Sequence, residues 1–189
     1  MNIQTQANTD EYEARLILFS AIEPGHKGWG QEIQRLGAIK VLEGLFSGQY
    51  DSKSCSALLE KIERTNNEML TLALDASQSH FIYPGHPQWP KQVDQLSNPP
   101  IGLIVKGSIS TLAEKSIAIV GTREPTEYGR EIASEFAAAF VSHDWHVVSG
   151  GALGIDTSAH ISALRTSGKT LAVIASGRVR PRCRSARGR

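Results

Sequence analysis

Two glycine-bearing strings hold the residues whose types and spacing suit chemistry. The first is Gly121-Thr122-Arg123, followed by Tyr128-Gly129. The second is Ser149-Gly150-Gly151-Ala152-Leu153-Gly154. Glycine lets a backbone approach a ligand closely, and amides gathered in a turn or at a helix start attract anions. Arg123 adds a planar, permanently charged fork suited to phosphate. Ser149 adds a hydroxyl, and Tyr128 a ring on which a base can stack. The chemistry on offer is phosphate binding, through Gly121, Thr122, Arg123, Ser149, Gly150, Gly151, Ala152 and Gly154. Each residue also has a plainer reading. A glycine can simply make a tight turn, Arg123 can pair with Glu124 or Glu127, and Tyr128 can pack on the following helix. The two strings taken together favour the ligand.

Bringing the strings together requires a particular set of elements. Ile117-Ala118-Ile119-Val120, Val147-Val148 and Leu171-Ala172-Val173-Ile174 are apolar runs, each leading into glycine. Between them Ile132, Phe136 and Phe140 recur at helical spacing, as do Ile155, Ala159 and Ala163. Strand, helix, strand, helix, strand predicts right-handed crossovers and a parallel sheet, and continuous apolar strands predict cover on both faces. The fold class is α/β: a partial doubly wound, Rossmann-like sheet over residues 113–177 behind a small helical module. Ligands of such sheets sit beyond the carboxyl ends of the strands, where both strings lie.

The helical module spans residues 1–80. Tyr12, Leu16 and Phe19 mark one helix face, and Glu23 to Gly28 breaks the pattern. Gln31–Leu36 and Ala38–Phe46 read as two helices hinged at Gly37, with further helices over Ser54–Ile62 and Asn67–Asp75. No catalytic constellation occurs in it. Residues 81–112 form a Pro/Gly-rich connector with a short strand over Ile101–Val105, in which Trp89-Pro90 reads as an anchor.

Composition narrows the classes further. With 40% hydrophobic and 21% charged residues the chain is globular rather than disordered. No run approaches a membrane span and no secretory leader is evident. Cys55, Cys183 and six scattered histidines give no metal or redox spacing, so no metal or cofactor is expected and a reducing cytoplasm is the default location. Six arginines fall within residues 178–189, so the formal charge of +1 for the chain becomes −5 for residues 1–177. Nucleic-acid binding by the body must therefore come from a local site.

Enzymatic readings find less support. Asp156 and His160 are one helical turn apart and suggest an acid–base pair, but no nucleophile accompanies them, and Asp156 can simply cap its helix. Gly168-Lys169-Thr170 imitates the end of a nucleotide phosphate loop. Its first glycine would fall at Ala163, and it leads into a strand. A Gly-x-Arg turn, with Ser149 closing the second strand, excludes the nicotinamide-binding pattern. The expectation is a binding protein and not an enzyme. The rival is a nucleotide-processing N-glycosidic hydrolase using Asp156 or a glutamate as its acid.

GTREPTEYG, SGGALGIDTSAHISAL and GKTLAVIASG resemble the core of the DNA-processing protein A (DprA/Smf) family, and the likeness extends upstream through residues 81–108. The resemblance implies a protein of natural transformation that binds incoming single-stranded DNA, shields it and helps load the strand-exchange recombinase. It implies that Arg123 binds a DNA phosphate, and it suggests a recruitment role for the helical module. After Gly177 the family's Tyr-Pro loop, further strands and Pro-x-Arg-Asn-Arg segment are absent, replaced by an arginine-rich tail over 178–189 that reads as disordered or translated in another frame. The expectation is a truncated member, or a non-functional remnant. Its sheet edge and helix faces would be left open, and the family's homodimer and recombinase contacts would fall largely in the missing part.

Overall fold

The computed structural model describes residues 10–23 and 25–174, with the side chains of 52–54 left aside. The arginine-rich tail lies outside the described residues. The chain divides into two units between Ala113 and Glu114.

The first unit begins with five helices: α1 (Glu11–Ala21), α2 (Lys27–Leu36), α3 (Ala38–Phe46), α4 (Ser52–Arg64) and α5 (Asn67–Ala76). Their starts are chemically marked. Asp10 accepts from the Glu13 amide, His26 Nδ1 from that of Trp29, and Asn66 from that of Met69. The His26 cap starts α2 four residues before the sequence pattern does, carrying it through Gly28 and Gly30. Gly37 turns the chain between α2 and α3 at φ 86°, a left-handed conformation open to glycine. Ile17, Leu18, Ile33, Val41, Leu45 and Ile62 form the core of the bundle.

Residues 81–112 fold within this first unit. Strand β1 (Ser79–Ile82) pairs antiparallel with β2 (Leu103–Lys106), Phe81 facing Ile104 in register. Phe81 packs with Leu16 and Leu74. Trp89 is buried beside Ile82 and Val105, and its indole N–H donates to Asp94 at 2.8 Å. That burial makes Trp89 an anchor of the segment.

The second unit holds β3 (Ser116–Ala118), α6 (Glu127–Ser142), β4 (His146–Ser149), α7 (Ile155–Arg165) and β5 (Thr170–Ala172). The strands are parallel, in the order β3-β4-β5, with Ile117 opposite Val147 and Val147 opposite Thr170. Pairing runs on past the strand ends, from the Ile119 amide to the Val148 carbonyl and from Val173 to Ser149, each at 2.9 Å. Ile119 and Val147 pack against Ala137, Ala159 and Ala163, so both crossover helices lie on one face of the sheet. The other face carries Ala118, Val148 and Leu171 in register, continued by Val120 and Val173, which are 68% and 62% exposed. The expectation of cover on both faces fails here. Two crossovers stepping in the same direction across a sheet put both helices on one side.

Helix α6 also buries a different stripe from the one its sequence suggests. Ala133 and Ala137 face inward, whereas Phe136 is 57% exposed. Small residues let α6 and α7 approach closely enough for Ser162 Oγ to donate to the Ser134 carbonyl at 2.6 Å. A phenylalanine at that contact would hold the helices apart.

Candidate nucleic-acid interface

Beyond the carboxyl ends of β3 and β4, the two glycine strings meet. The Ile155 amide donates to the Thr122 carbonyl at 3.2 Å, tying the start of α7 to the first loop. Glycines stand where the loops touch. A Cβ on Gly121 would lie 2.7 Å from Ile155 Cγ1, and one on Gly154 would run into the Thr122 carbonyl and stand 2.8 Å from Arg123 Cα. Gly154 adopts φ 94°, ψ −128°, outside the range of residues bearing a Cβ. The two strings thus form one built loop pair.

The amides of this pair are largely unclaimed. Those of Gly121, Thr122, Arg123, Gly150, Gly151 and Ala152 donate to no acceptor among the described residues. The Glu124 amide is taken by Thr122 Oγ1 at 3.2 Å, which folds the first loop back on itself. The N-terminus of α7 has no side-chain cap; the Thr122 carbonyl takes its Ile155 amide, and Asp156 is the acid of its first turn. Helix α6 starts nearby in sequence, capped by Thr126 Oγ1 on the Gly129 amide at 3.1 Å.

The side chains divide into those free for a ligand and those already engaged. Arg123 is exposed and makes no ion pair or hydrogen bond among the described residues, so neither Glu124 nor Glu127 holds it. Glu127 lies 3.8 Å from Arg130 instead. Tyr128 is 71% exposed on the first turn of α6 and is not packed on its helix. Ser149 is engaged. It is 2% exposed, and its hydroxyl donates to the Ile119 carbonyl at 2.5 Å, joining β4 to β3. The hydroxyl assigned to phosphate from sequence therefore fastens the sheet edge, and backbone amides remain as the loop's donors.

Asp156 and His160 do not pair. His160 Nε2 donates to the Gly150 carbonyl at 2.8 Å, and Nδ1 lies 2.7 Å from Thr170 Oγ1. The ring so braces the second loop against β5. Asp156 neither caps α7 nor meets His160. Lys169, in the string that imitates a nucleotide loop, pairs with Glu114 at 3.2 Å, and the Thr170 hydroxyl donates to the Val147 carbonyl. Both are structural. Burial of Asp156 and the bracing role of His160 were missed from sequence. The one-turn spacing put both on one helix face but could not give their separate partners.

Fold and site together define an α/β protein in which two glycine-bearing loops meet at the carboxyl edge of a parallel sheet. A family model described as DNA recombination-mediator protein A matches residues 80–187. The chain belongs to this family. It is 36% identical over 91 residues to the DNA processing protein DprA of Bacillus subtilis, covering 48% of this chain and 31% of that one. It is 32% identical over 128 residues to Protein Smf of Synechocystis, covering 64% of this chain and 32% of that one. The chain thus spans about a third of the length of these relatives. The X-ray structure of DprA from Streptococcus pneumoniae is similar in fold, with TM-score 0.64 and 21% identity over 88% of this chain and 58% of that one. No helix among the described residues is long and apolar enough to cross a membrane.

Proposed function

We propose that the chain is a single-stranded DNA-binding protein of DNA uptake, which takes the strand's phosphates on the Gly121–Arg123 and Gly150–Gly154 loops. The observation that carries this reading is the set of six amides and the exposed Arg123 in two touching loops at one sheet edge, all without a partner among the described residues. The names of the relatives, DNA processing protein and recombination mediator, support it. Binding through backbone phosphates, with Tyr128 stacking a base, tolerates any sequence and weakens steeply with salt. The chemistry proposed is binding: His160, the group that could serve an acid–base pair with Asp156, is held instead by the Gly150 carbonyl and Thr170. Shielding of incoming DNA, and help in loading a strand-exchange recombinase, follow from family membership as parts of the same proposal.

The test is fluorescence anisotropy of a labelled single-stranded oligonucleotide, titrated with the full chain and with Arg123→Ala at several salt concentrations. The arginine-rich tail will bind any polyanion, so the informative quantity is the component that Arg123→Ala removes. The expected result is a salt-sensitive component lost in the variant. Identical isotherms from two folded proteins would refute the reading.

A further inference from the structure

Two side chains of α7 hold carbonyls of the second glycine loop. His160 donates through Nε2 to the Gly150 carbonyl at 2.8 Å, and its Nδ1 lies 2.7 Å from Thr170 Oγ1. The Thr170 hydroxyl in turn donates to the Val147 carbonyl at 2.9 Å, so this run of contacts ends on β4. Thr157, one turn earlier on α7, donates from its hydroxyl to the Ala152 carbonyl at 2.8 Å. Alternate carbonyls of one loop are thus drawn to the same helix.

A trans peptide unit is planar, and its C=O and N–H point in opposite directions. Holding the Gly150 carbonyl on His160 therefore turns the Gly151 amide away from α7. Holding the Ala152 carbonyl on Thr157 does the same for the Leu153 amide. Neither amide donates to an acceptor among the described residues, and both residues are exposed. Consecutive glycines at 150 and 151 leave these peptide planes free to rotate unless something fixes them. A rotated plane would meet an anion with a carbonyl oxygen in place of an amide. We propose that His160 and Thr157 are positioning residues of the second loop. They do not touch the ligand; by fixing two carbonyls against α7 they present the Gly151 and Leu153 amides to a strand phosphate. This inference rests on the single-strand reading above and names the groups that orient its donors.

The test combines NMR of the isotope-labelled full chain, titrated with a single-stranded oligonucleotide, with anisotropy scored on the Arg123-dependent component. On the wild-type chain the Gly151 and Leu153 amide protons should move downfield as the oligonucleotide is added, as amides do on bonding to phosphate. His160→Leu fills the space without a donor and should weaken binding about tenfold, whereas His160→Gln restores an amide donor and most of the affinity. Thr157→Val, close to threonine in shape, should weaken binding about threefold, and Thr157→Ser should restore it. Glutamine no better than leucine, together with serine no better than valine, would show that packing and not the donated hydrogen bond matters, and would overturn the proposal. Unmoved Gly151 and Leu153 amides in a wild-type chain that shows Arg123-dependent binding would overturn it too, and that arm requires no variant to fold. Absence of any Arg123-dependent binding would instead sink the single-strand reading, and this inference with it.

Discussion

At the scale of single residues, glycines set how closely the two loops approach, and one serine joins the strands that carry them. Gly154→Ala would force a Cβ into the Thr122 carbonyl at a backbone angle that residues with side chains avoid. Strain of this kind costs about 1–3 kcal/mol, so urea denaturation should show a loss of that size, accompanied by weaker oligonucleotide binding. Ser149→Ala tests the opposite case. Removing its hydroxyl takes a donor from the part-buried Ile119 carbonyl and should cost about 1 kcal/mol, while oligonucleotide affinity stays within about twofold. A large loss of affinity with unchanged stability would return Ser149 to the ligand. The meeting of the two glycine strings is legible in the sequence, because each follows a strand and the ends of parallel strands fall at one sheet edge. The engagement of Ser149 is not, because a serine at a strand end can point its hydroxyl either at a ligand or at the neighbouring strand. Asp156 was equally ambiguous, since a carboxylate near a helix start reads as a cap until its burial is seen.

At the scale of elements, small residues govern how the two crossover helices meet the sheet. Ala137, Ala159 and Ala163 have no exposed surface. Ala159→Leu should therefore overpack the helix contact and cost about 1–3 kcal/mol, whereas Phe136→Ala on the exposed side should change stability by no more than about 0.5 kcal/mol. Thermal unfolding of the two variants checks the pair. Hydrophobic periodicity reads the helices correctly along the chain and misreads the orientation of α6, because it weighs phenylalanine above alanine. Close helix packing reverses that weighting. The strands were legible from their β-branched runs, and the parallel order from the spacing that crossovers require. The single-sided cover follows from the direction in which consecutive crossovers step, which local sequence does not encode.

At the scale of the whole molecule, the two units respond to different stresses. In the helical unit, burial raises the pKa of the Cys55 thiol, with a further contribution from Asp51, and burial likewise raises the phenols of Tyr12 and Tyr50. An acid whose folded pKa is raised stays protonated in the folded state after the unfolded chain has begun to ionise. The unfolded state then binds fewer protons, so stability is full below the unfolded values and falls as pH rises through roughly 8.5 to 10 and beyond. Denaturation midpoints across that range should fall, and flat midpoints would contradict the account. In the second unit, the exposed Val120 and Val173 lie on an apolar sheet face. Val120→Lys with Val173→Lys should lower self-association measured by light scattering. The central claim concerns where DNA sits. The measurement that tests it most directly is photo-crosslinking of a single-stranded oligonucleotide to the full chain, with the crosslinked peptides identified by mass spectrometry. The account predicts crosslinks on residues 121–128 and 149–154, lost at raised salt. Crosslinks confined to the arginines of residues 178–189 would contradict it.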